Sequence, residues 1–81
     1  MNTAWITEER EILTRERTTL DAITGSLQHT TSEIDALVST MRDNLNKREG
    51  AYSANDWDTY HALKAASFEQ FEMLDWLIAN L

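Results

Sequence analysis

The chain has 81 residues, no cysteine, no proline, two glycines and a formal charge of −7. That length allows one domain at most and makes burial of a core marginal. The lack of cysteine excludes disulfides and thiolate-bound metal, and the scarcity of breakers favours long helices over sheets.

The opening residues set Glu8, Glu9 and Glu11 where a secretory signal would need basic and then apolar residues. Helix signals begin at Thr7, a candidate cap, with Glu8 and Glu9 facing the positive end of the helix dipole. Glu11 and Arg15 stand at i, i+4 in the favourable order. Ile6, Ile12, Leu13, Leu20 and Ile23 supply the apolar face.

Residues 24–33, TGSLQHTTSE, pose the main architectural question. Leu13, Leu20, Leu27, Ile34 and Met41 recur every seven residues, as in one continuous helix carrying a coiled-coil seam. Against continuity, Gly25 can end a helix in the left-handed conformation. Thr30 and Glu33 have capping-box spacing, and poor helix formers cluster around them. The break is the favoured reading.

A second helix then carries the stripe Ile34, Leu37, Val38, Met41 and Leu45. It ends with Lys47 and Arg48 in its last turn and Gly50 beyond them. The third starts after Ser53 or Asn55, helped by Asp56 and Asp58, and runs to the end. The elements are helices near 7–24, 31–48 and 55–80. The fold class is all-α, a three-helix up-down-up bundle. The alternative is a long helical hairpin that dimerises into a four-helix bundle.

Little points to catalysis. No nucleophile motif or phosphate-binding glycine loop occurs, so a non-enzyme with no cofactor is expected. Asp58 and His61 share a helix face, but Glu72 lies eleven residues beyond His61, roughly 16 Å along the helix, too far for one ion. No metal site is expected within one chain. A metal-binding or enzymatic bundle would have to be assembled across a dimer.

Two charges fall on apolar faces. Glu16 points along the face of Ile12, Leu13, Leu20 and Ile23. Lys64 points toward Tyr60, Phe68 and Phe71. Each lies nine residues past the expected start of its helix, so in parallel first and third helices they share a layer. An ion pair between Glu16 and Lys64 is one expectation, and snorkelling of both to water is the other.

Residues 51–81 carry five acids against one base and six of the seven aromatics. On the outer side of the third helix, Asp58, Ala62, Ala65, Glu69, Glu72 and Trp76 recur at helical spacing, with Met73 beside them. They form a candidate face for another protein. The carboxylates would steer a basic partner, and Trp76 and Met73 would dock. Trp76 could instead cover the open end of the bundle alongside Trp5. The expectation is a small acidic protein-binding module: an adaptor, chaperone or inhibitor. The alternative is an inhibitor that competes with nucleic acid for a basic groove on a target protein. Direct nucleic-acid binding is disfavoured by the charge. The longest apolar run, Trp76 to Ala79, is far short of a membrane span. A soluble cytoplasmic protein, with a homodimer possible at this marginal size, completes the reading.

Overall fold

A computed structural model describes residues 3–81. They form three α-helices, α1 (Ala4–Ser26), α2 (Ser32–Ser53) and α3 (Trp57–Ala79), with no strand among the described residues. The chain breaks between α1 and α2, so the long hairpin does not form. Cross-helix pairs fix the topology. Arg10, Arg17 and Asp21 of α1 meet Glu49, Asn46 and Arg42 of α2 in descending order, so these two helices are antiparallel. Glu9 and Glu16 meet Lys64 and Ser67 in ascending order, so α1 and α3 are parallel. The bundle is up-down-up.

The helix ends differ from the sequence reading in instructive ways. α1 starts at Ala4, the Thr3 side chain makes no capping hydrogen bond, and Thr7 lies inside the helix. The break needs no left-handed glycine. Gly25 remains helical, and Leu27 turns the chain out in an extended conformation, φ −75° and ψ 125°. The cap of α2 is Thr31 rather than Thr30. Its Oγ1 accepts a hydrogen bond from the Ile34 N–H at 3.2 Å, while Thr30 donates to Asp35 at 2.8 Å. Glu33 and Asp35 fill the first turn, where carboxylates suit the dipole.

Gly50 is likewise helical, and α2 continues past it to Ser53. The left-handed residue is Asn55, φ 56°. Asn55 N–H donates to the Tyr52 carbonyl and Asp56 N–H to the Ala51 carbonyl, the paired bonds of a Schellman ending. Asp56 then caps α3 by accepting from the Thr59 N–H. One three-residue link therefore closes α2 and opens α3, which explains their close antiparallel packing.

Leu13, Leu20, Ile34, Met41, Leu45, Ala51, Tyr60 and Leu74 are buried, with Leu27, Leu37, Phe71 and Ile78 among the half-buried residues packed on them. The heptad that argued for a continuous helix is thus real as a core pattern. Leu27 keeps its place in the core although it lies in the turn. α2 and α3 pack most extensively. Among the described residues, no Cα of α1 comes within 8 Å of a Cα of α3. Those two helices meet through long side chains.

Candidate functional site

The space between α1 and α3 is spanned by a polar layer. Arg48 of α2 has no solvent exposure and donates from both terminal nitrogens to the Glu16 carboxylate, each at 2.8 Å. Ser67 Oγ donates to the same carboxylate at 2.6 Å. The Arg48 guanidinium lies 5.2 Å from the centre of the Tyr60 ring. Tyr60 Oη donates to the Glu9 backbone carbonyl at 3.0 Å, and Lys64 Nζ donates to both Glu9 carboxylate oxygens at 2.9 Å. Asn44 donates to the Leu63 carbonyl at 2.8 Å. Arg48 Nε and Asn44 Oδ1 are buried without a hydrogen-bond partner.

These partners set the charge states. Burial opposes the charge on Glu9, yet the hydrogen bonds from Lys64, the nearby Tyr60 hydroxyl and the charges of Lys64 and His61 outweigh it, so its carboxyl is held below the usual glutamate range. Burial also opposes the charge on Arg48, and Glu16 and Tyr60 more than restore it. Burial pushes the Tyr60 phenol up, with the Arg48 interactions acting against it. The layer spans all three helices and ties them together.

The expected Glu16–Lys64 pair does not form. Lys64 pairs with Glu9, and Glu16 pairs with Arg48. The reason is register. α1 starts three residues earlier than expected and α3 two residues later, a relative slip of about 7.5 Å at 1.5 Å per residue. Lys64 therefore falls beside Glu9, and Ser67 arrives at Glu16. By its position near the end of α2, Arg48 reads in the sequence as a helix-terminal cation. The signal that could have found it is the heptad itself, whose next member after Met41 is residue 48.

On the outside of α3, Asp58, Ala62, Ala65, Glu69, Glu72, Met73 and Trp76 are all exposed. Trp76 is 61% exposed and Met73 52%. With Glu69 and Glu72 they line a shallow concavity of about 400 Å³. Trp76 also borders a second depression, with Thr31, Glu33, Leu77, Asn80 and Leu81. Trp76 does not cover the bundle end alongside Trp5. Trp5 packs edge-on against Trp57 at 4.7 Å, at the opposite end of the molecule.

His61 lies against the Tyr60 and Trp57 rings, and no group of three or more metal-binding side chains occurs among the described residues. No helix among them is long and apolar enough to cross a membrane. The expected Glu11–Arg15 pair is also not made. Arg15 instead borders a groove between α1 and α3. The chain matches no family model, no curated protein and no solved structure in comparisons with known proteins.

Proposed function

We propose that this chain is a non-catalytic protein-binding module, an adaptor, chaperone or inhibitor, that docks through the outer face of α3 onto a protein with a basic surface. The observation that carries this reading is Trp76, a large aromatic pointing away from the core beside Met73, with Glu69 and Glu72 at its rim. Tryptophan and methionine are favoured at contact surfaces, and buried aromatics supply most of the binding energy where proteins meet. The lack of cysteine suits a cytoplasmic setting.

A second reading, an acidic inhibitor that competes with nucleic acid, draws on one further observation. Asp58, Glu69, Glu72 and Asp75 on α3 make no ion pair, whereas most of the cations elsewhere are paired. Capture on the immobilised chain, followed by mass spectrometry, tests both. The docking reading expects a partner that is retained through high salt and lost with Trp76→Ala while the helical signal is unchanged. The acidic-inhibitor reading expects a salt-labile partner that nucleic acid displaces and that Glu69→Ala with Glu72→Ala releases. Capture identical for wild type and Trp76→Ala would end the docking reading.

A further inference from the structure

The turn between α1 and α2 keeps a phase that a turn has no need to keep. Leu13, Leu20, Leu27, Ile34, Met41 and Arg48 recur every seven residues straight through it. The link itself, residues 27–31, reads LQHTT and holds no proline or glycine, so nothing in it forbids helix. Straightened, residues 4–53 make one helix with the heptad on a single face. The cross-helix pairs add a symmetry. Arg10–Glu49, Arg17–Asn46 and Asp21–Arg42 are each centred within the link or next to it. The heptad is centred there too: Leu13 with Arg48, Leu20 with Met41 and Leu27 with Ile34 all have their midpoint between Thr30 and Thr31. Two such helices, laid antiparallel about a two-fold axis at that point, repeat the α1–α2 register of the single chain.

We propose that α1 is an exchangeable arm: two copies of this chain straighten their links and trade α1, so that each α2–α3 hairpin holds its partner's α1 in a two-fold dimer. The arriving α1 meets the same groups that α1 meets in the single chain. Glu16 lies on Arg48 and Ser67, Glu9 on Lys64, and Trp5 on Trp57, now across two chains. α1 is the helix suited to leave, because among the described residues no Cα of it comes within 8 Å of a Cα of α3. Straightening gives up the Thr31 cap, and the backbone groups of the link and both flanking helix ends enter one helical ladder. The axis runs perpendicular to the plane of the two long helices, so both α3 helices lie on the same side of that plane, end to end along one groove. Ser67 is level with Glu16, so Leu81 comes level with Thr30, at the axis. In the single chain Leu81 is 57% exposed and lines a depression with Leu77, Thr31 and Glu33. In the dimer the partner's Leu81 lies against it.

Sedimentation of the full chain, refolded from urea across a concentration series, tests this, with circular dichroism confirming that each variant is folded. The wild type is expected at 9.3 kDa when refolded dilute and to rise toward twice that mass as concentration increases. The chain has no cysteine, so introduced ones report which chains touch. Chains carrying Asp21→Cys, refolded with chains carrying Arg42→Cys, should be bridged by a bis-maleimide into a covalent pair in the dimer fraction, since these side chains meet at 2.6 Å. Chains carrying only Arg10→Cys should not bridge, because the two positions stand about 60 Å apart in the exchanged dimer. Combined His29→Ala, Thr30→Ala and Thr31→Ala favour helix through the link and should lower the dimer dissociation constant about tenfold or more. His29→Gly with Thr30→Gly should raise it by a similar factor. A wild type that stays at monomer mass up to millimolar concentration overturns the proposal. So does a dimer in which the 21–42 bridge between chains does not form, and so does a dissociation constant indifferent to both sets of link substitutions.

Discussion

Arg48 is the fully buried cation at the centre of the molecule, and its neighbours explain why it is tolerated. Removing one member of a buried pair leaves the other charge unpaired and costs about 3–5 kcal/mol, whereas replacing both by apolar groups is often neutral. Arg48→Ala should therefore lower the urea-unfolding free energy by about that amount, while Arg48→Met with Glu16→Leu should recover much of the loss. Glu9 gives a pH test. Its folded pKa lies below its ordinary value of 4.5, so its contribution is fully present above that value. It is lost as pH falls through the depressed folded value. The melting temperature should drop on acidification below 4.5, and Glu9→Gln should flatten that part of the profile. Arg48 was hidden from a reading of helix ends, because a cation near a terminus has a ready surface explanation. Its place in the heptad was in the sequence all along.

At the scale of elements, the three helices were legible because apolar spacing and capping residues are local signals. Their ends were less so. The two glycines read in the sequence as terminators, yet both are helical, and the left-handed position belongs to Asn55. Asparagine is the other residue that adopts that conformation readily. A Cβ added at Gly25 or Gly50 would meet nothing within 4 Å. Gly50→Ala should therefore stabilise the protein by about 0.5–1 kcal/mol, and Asn55→Ala should destabilise it by about 1–2 kcal/mol. Thermal melts of the two variants would shift in opposite directions. Were Gly50 a terminator, alanine there would lower the melting temperature. Thr31→Ala should lose about 1 kcal/mol as the true cap, and Thr30→Ala much less.

For the whole molecule, the outer face of α3 was readable because exposure on one helix follows from its period alone. What no period could supply was the offset between helices, which depends on where each one starts and displaced the Glu16–Lys64 pair. Stability should follow burial. Leu74→Ala should lose about 2–5 kcal/mol, and Trp76→Ala should stay within about 0.5 kcal/mol of wild type, as read by urea denaturation.

The distance between α1 and α3 has a consequence for motion. α2 and α3 share a close apolar contact and a common link, whereas α1 reaches α3 only through long side chains, among them the Glu9–Lys64 and Glu16–Ser67 contacts and the Trp5–Trp57 ring pair. Native proteins open in cooperative pieces, and the piece with the least close packing opens at the lowest free energy. Here that piece is α1. Its amides should exchange with deuterium ahead of those in α2 and α3, and the gap should widen when Lys64→Met unfastens the seam. The protein would then behave as a helical hairpin with a hinged third member.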